Sequence, residues 1–306
     1  MMRLAFYQVM RMIGVILLVF LVAGYAYWVL PRPCPDLRPV LVFTLHEYPE
    51  ARITGFRDIN ADGEIVGYFQ TDDPPASAHA LLVRGGANSV IDPPGSSFDR
   101  RAFAINDSDL VALSYDGNNA MLWDGAIYTP VAYPGASGTV IRGLNNHGDI
   151  SGEFTDASGA VQAFVRIGGV FTHIPFSGAV RASARGIAND GTAVGYYEMP
   201  GGVRHCFVRD PSGSITELSV AGRVSIMCGG LNNTGAIVGA SIDPTGRAHA
   251  FVWRGGVFRH FDVPGAQDTV ALGINDVGDI VGEVSFGGGF TDYAAPHRGF
   301  YTESFR

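Results

Sequence analysis

Ile274-Asn275-Asp276-Val277-Gly278-Asp279-Ile280-Val281-Gly282 is the stretch that decides the fold, because the same pattern returns along the whole chain. It recurs at residues 59–67, 144–152 and 231–239, and more loosely at 105–112 and 187–195. Its last residue falls at Gly67, Ala112, Gly152, Gly195, Gly239 and Gly282, a repeat of about 43 residues. A fixed period of that length is the mark of solenoids and propellers.

Four short β-type runs fit within each copy. In the fifth they lie near residues 225–232, 236–241, 249–253 and 257–263, and we call them strands a, b, c and d. Strands a and b meet at an Asn-Asn-Thr-Gly turn and c and d at Arg-Gly-Gly, where glycine supplies the positive φ of a tight hairpin. Four strands in such a length make one propeller blade. The expected fold is therefore all-β, a six-bladed β-propeller preceded by one N-terminal transmembrane helix.

The chain ends sharpen this reading. Phe43 and Pro49 occupy the slots of strand d and the following Pro-Gly step, but no strand c precedes them; residues 298–306 read as a strand c with no d after it. Joining the two restores a blade and leaves no open edge, which a solenoid would not need. Length variation falls in the b–c loops, and variable loops on a rigid frame carry binding residues. In a propeller the b–c and d–a connections share one face, the expected functional face.

Residues 12–30 carry no charge, follow Arg3 and Arg11, and as a helix would rise about 28 Å, enough for a bilayer core. The expected organisation is a cytoplasmic N-terminus (1–11), a transmembrane anchor or signal segment (12–30), a tether (31–42) and a propeller (43–306) outside the cytoplasm, periplasmic or extracellular. Small residues at Gly24 and Ala26 are the basis for the competing signal-peptide reading. With 29 acidic against 21 basic residues and a net charge of −8, no basic field for nucleic acid exists. The chain has no lysine, which excludes Schiff-base and P-loop lysine chemistry. Export permits a Cys206–Cys228 disulfide, but strands a and c of neighbouring blades are expected a sheet width apart, so two buried thiols are expected.

His79, His205 and His249 hold the same slot in three blades, which keeps them apart; their expected role is hydrogen bonding to a neighbouring strand, and neither a metal nor a cofactor is expected. Asn60, Asn106, Asn145, Asn232 and Asn275 begin the a–b turns and are expected to close them. Residues that break the repeat are the functional candidates. Arg57, Arg142 and Arg185 share one slot of strand a, facing the central channel, where other copies carry Phe103, Gly229 and Leu272. They offer a partial ring for an anion, against the alternative that each pairs with a nearby carboxylate. Glu153, Glu283, Tyr197 and Tyr293 join them as ligand-binding candidates.

The repeats resemble the HAF family of bacterial extracellular repeats. The likeness rests on His249-Ala250-Phe251-Val252-Trp253, its variants at 205–207 and 162–164, and the motif at 274–282, and it covers residues 43–306. It implies export and a repeat architecture, and brings no catalytic residues. The functional expectation is an envelope-anchored binding or scaffolding module for a glycan, peptide or protein partner. The alternative is a hydrolase or lyase that holds an anionic saccharide with Arg57, Arg142 and Arg185 and uses Glu153 or Glu283 as acid or base.

Overall fold

The computed structural model describes residues 41–72, 77–287 and 297–303, together with two short strands nearer the N-terminus. The chain divides into two compact units, Met1–Val40 and Leu41–Arg306. In the first, β1 (Leu21–Val22) pairs antiparallel with β2 (Tyr25–Ala26). The expected membrane span otherwise lies outside the described residues, as does Tyr293. Among the described residues no helix is long and apolar enough to cross a membrane.

The second unit opens with β3 (Phe43–His46) and continues as antiparallel groups of four. They are β4 (Ala51–Ile59), β5 (Ile65–Thr71), β6 (Ala78–Arg84) and β7 (Ala87–Val90); then β8 (Arg101–Ile105), β9 (Val111–Tyr115), β10 (Asn119–Trp123) and β11 (Tyr128–Val131). Next come β12 (Gly138–Leu144), β13 (Ile150–Thr155), β14 (Val161–Ile167) and β15 (Val170–Ile174), followed by β16 (Arg181–Ile187), β17 (Ala193–Glu198), β18 (Arg204–Arg209) and β19 (Ile215–Leu218). The fifth group is β20 (Ser225–Leu231), β21 (Ile237–Ile242), β22 (Ala248–Arg254) and β23 (Val257–Phe261). The last starts with β24 (Asp268–Ile274), β25 (Ile280–Ser285) and β26 (His297–Thr302), and its fourth strand is β3. Gly299 pairs with His46 and Thr302 with Phe43, so the two ends of the repeat array share one sheet.

The motif's final glycine has a steric cause. A Cβ on Gly152 would stand 2.1 Å from the Val140 carbonyl and 2.9 Å from the Phe164 ring; on Gly282 it would meet the Val270 carbonyl at 2.0 Å and Phe300 at 2.7 Å. Only a hydrogen fits where strand a and the buried aromatic of strand c converge. Phe164, Phe207, Phe251 and Phe300 are accordingly fully buried, one in each of four groups. Their removal would cost about 3–5 kcal/mol each. The second copy lacks the turn glycine of its a–b hairpin, and Asp109 takes the left-handed conformation there with φ 60°. Aspartate is among the few side chains that tolerate it.

Consecutive groups pack through strand c of one and strand a of the next. Two such junctions include a parallel backbone pairing, Val161 with Arg181 and His297 with Ile53. The same closeness overturns the expectation of two buried thiols: Cys206 on β18 and Cys228 on β20 have Cα atoms 5.3 Å apart and form a disulfide. A sheet-width separation applies to strands within a group, whereas strands c and a of adjacent groups lie face against face.

Candidate functional site

Each strand a carries a β-bulge just before its end. The register shifts between Phe56 and Asp58, Ala102 and Ala104, Ile141 and Gly143, Ala184 and Gly186, Cys228 and Gly230, and Ala271 and Gly273. The residues skipped are Arg57, Phe103, Arg142, Arg185, Gly229 and Leu272, the slot in which the sequence breaks its repeat. A bulge re-aims a side chain out of the ladder. Five of these six line one narrow passage of about 30 Å³; the sixth, Gly229, sits so close to the Ala271 carbonyl that a Cβ would stand 2.6 Å from it.

The passage opens into a cavity of about 690 Å³ that the same five residues share with Arg101, Arg181 and Arg204. Gly201, Gly202 and Gly246 of the b–c connections also border it, so it lies on the side expected to carry function. On the other side the passage shares Asp58, Leu144, Ile187 and Leu231 with a small cavity ringed by the motif asparagines.

Six guanidinium groups in one cavity require compensation, and most receive it. Arg142 and Arg181 each place Nη2 2.6 Å from Oε1 of Glu153. Burial alone would raise the Glu153 pKa, but these two cations outweigh it and hold the carboxyl well below its usual range. Arg57 lies 2.7 Å from Glu283, whose carboxylate occupies the space left by Gly55. Arg101 pairs with Asp99 at 2.7 Å and Arg204 with Glu198 at 2.9 Å. Arg185 differs. Its guanidinium lies over the Tyr196 ring at 5.4 Å, its Nε is buried without a hydrogen-bond partner, and no carboxylate forms an ion pair with it among the described residues. Protein surrounds its stem while its tip borders the cavity, so it is only half-buried by accessible surface. Desolvation, with Arg142 and Arg57 nearby, lowers its pKa to about 10, which leaves it cationic at neutral pH.

The structure thus brings Arg57, Arg142 and Arg185 together, with Glu153 and Glu283 behind them as ion-pair partners. Tyr197 lies elsewhere: its ring stacks between Phe176 and His205, and its hydroxyl donates to Glu217 at 2.8 Å. Burial and Glu217 push its pKa up to about 12. His79, His205 and His249 each bond a carboxylate of their own group, Asp92, Glu217 and Asp262, as expected of structural histidines. No group of three or more metal-ligating side chains occurs among the described residues.

Sequence reasoning missed Arg101 and Arg181. Arg181 stands four residues before Arg185 and two from Ser183, the spacing of one strand face, and that alternation was the available signal. It also missed the reach of the asparagines. Each Asn145-type side chain closes its own turn, with Oδ1 accepting from His147 N and Asp149 N, and its Nδ2 then donates to the next group, here the Ala188 carbonyl at 3.0 Å. Asn106 reaches Asn145, Asn232 reaches Asn275, and Asn275 returns to Asn60 at 3.1 Å, across 215 residues of sequence. A second circuit uses the residue after each asparagine: the backbone N–H of Ala61, Asp107, Asn146, Asn189 and Asn233 donates to the side chain of the equivalent residue one group on. Where the first circuit has Ala188 the second is intact, and where the second has Ala61 the first is intact.

The structure resembles solved proteins of low sequence identity. TolB from Acinetobacter baumannii superposes with a TM-score of 0.56 at 12% identity over 80% of this chain, which spans 64% of that one. A putative TolB from Agrobacterium tumefaciens gives 0.55 at 12% identity, covering 82% of this chain and 90% of its own. AofleA from Arthrobotrys oligospora gives 0.51 at 12% identity, covering 80% and 83%. These likenesses establish a β-propeller repeat fold. No family model and no curated protein matches the chain.

Proposed function

We propose that the chain is an extracytoplasmic binding module of the cell envelope, a closed six-bladed propeller held at the membrane by residues 12–30 and recognising its partner at the arginine-lined cavity. The apolar run behind Arg3 and Arg11 supports the location, and the strand shared between the two chain ends supports six closed blades. One observation carries the functional reading: five bulged side chains, three of them arginines, converge on a cavity in which Arg185 has no carboxylate partner among the described residues. A partly desolvated guanidinium without a counter-ion is stabilised when an anion is supplied.

The geometry gives the hydrolase or lyase reading little support. Glu153 is held ionised between two guanidiniums and has no proton to donate at neutral pH, and Glu283 is pinned by Arg57. The test is capture from envelope extract, combined with a glycan array, on the full chain and on Arg185→Ala. Saturable binding that falls at least tenfold in the variant is the expected result, with no turnover of the captured partner. Turnover that disappears in Arg142→Ala/Glu153→Ala would show an enzyme instead.

A further inference from the structure

The cavity wall is not uniform around the ring. The arginines come from the first four groups: Arg57 on β4, Arg101 on β8, Arg142 on β12, and Arg181 and Arg185 on β16, with Arg204 on β18. The remaining two groups contribute no cation. Their part of the wall includes Val224, Gly246 and two polar residues, Ser225 and Asp268, but is mostly Met227 on β20, Ala240 and Ile242 on β21, Ala248 on β22, and Val270 and Leu272 on β24. The latter six form one continuous apolar cluster. In the bulge slot itself, where the first four groups place arginine or Phe103, the fifth has Gly229 and the sixth Leu272. The cavity therefore has a cationic side and an apolar side, at a size within the range of about 300–1,000 Å³ usual for small-molecule sites.

From this division we infer that the cavity takes an amphipathic anion: a carboxylate head carried on an unbranched apolar chain, the head against Arg185 and Arg142 and the chain along Met227, Ile242 and Leu272. A fully hydrophilic saccharide would find few open hydrogen-bond partners on the apolar side, because Ser225 and Asp268 are already bonded to Arg204, Ala248 and Ser285. A neutral lipid would leave Arg185 uncompensated. A planar carboxylate matches the fork of a guanidinium, and Arg185, whose tip borders the cavity, has no carboxylate partner among the described residues. The inference rests on the cavity being the binding site, as proposed above.

The test is equilibrium binding of three probes to the full chain in nanodiscs, with empty nanodiscs subtracted: decanoate, acetate as the head alone, and octyl glucoside as a neutral amphiphile. Decanoate is expected to bind at least tenfold tighter than either of the others. Arg185→Ala should weaken decanoate at least tenfold, with Arg185→Lys recovering part of the loss. Met227→Ser, a neutral change on the apolar side, should weaken decanoate severalfold more than it weakens acetate. Circular dichroism and the thermal transition check that each variant is folded, and Arg142→Gln replaces Arg185→Ala if the latter does not fold. Decanoate binding no tighter than octyl glucoside, or equally tight to the folded Arg185 and Met227 variants, overturns the inference. If decanoate is ignored while an envelope partner still depends on Arg185, the ligand class is wrong and the binding-module reading stands. If neither depends on Arg185, both fall.

Discussion

Replacing Asn275 by alanine removes the side-chain hydrogen bond that joins the a–b turn of the last group to that of the first. Its Nδ2 donates to the Asn60 carbonyl at 3.1 Å, and its Oδ1 accepts from Asp279 N at 2.8 Å. The second circuit offers no relief here, because the methyl side chain of Ala61 cannot accept from the N–H of Asp276. Two hydrogen bonds at about 1 kcal/mol each, plus about 1–2 kcal/mol for the Asp279 donor left without its acceptor, give a loss of roughly 3–4 kcal/mol. For a domain of this size that lowers the thermal midpoint by roughly 6–15 °C. Urea unfolding followed by tryptophan fluorescence and circular dichroism measures it. The converse change, Ala188→Asn, supplies the asparagine missing from the first circuit and should stabilise by about 1 kcal/mol. A loss below about 0.5 kcal/mol in Asn275→Ala would mean that the circuit does not hold the ring together.

Three further outcomes follow from particular contacts. The Cys206–Cys228 bridge closes a separation of 22 residues, so Cys206→Ala/Cys228→Ala should cost about 3 kcal/mol; thiol titration of the unfolded, unreduced protein should find one free cysteine, and three would refute the bridge. Gly152→Ala drives a Cβ to 2.1 Å from a backbone carbonyl and should cost about 3 kcal/mol or more, seen as loss of soluble protein or of the cooperative transition. Asp58 has its pKa raised from 3.8 to about 7, chiefly by burial, so the folded state holds its proton where the unfolded state has released it. Stability should therefore fall as pH rises from about 4 to about 7, and Asp58→Asn, which keeps an acceptor for Ile105 N, should remove that slope and stabilise by a few kcal/mol at pH 8 while changing little at pH 4.

The repeat, its strands and the shared sheet of the two ends were legible because hydrophobic alternation and turn glycines are local signals, and Phe43 and Pro49 kept their register. The arginine slot was legible for a related reason: Arg57, Arg142 and Arg185 depart from a pattern that the other positions keep. What could not be read was anything that depends on how neighbouring groups face each other. The disulfide joins strands from two groups, and the periodicity within one group says nothing about the distance between them. Arg181 shares a strand face with Arg185 by simple alternation, but Arg101 joins them from another group, and no spacing within one repeat shows that convergence. The asparagines read as turn-formers, which they are, but their second amide function becomes visible only when the next group is in place.

The central claim, that recognition takes place in the arginine-lined cavity, is tested most directly by native mass spectrometry of the full chain extracted gently from its own membranes. The account predicts a small anionic adduct on the wild type that is lost from Arg142→Ala/Arg185→Ala when both proteins show the same folded charge distribution. An adduct retained at equal occupancy in that double variant would contradict it and move recognition to the outer surface of the propeller.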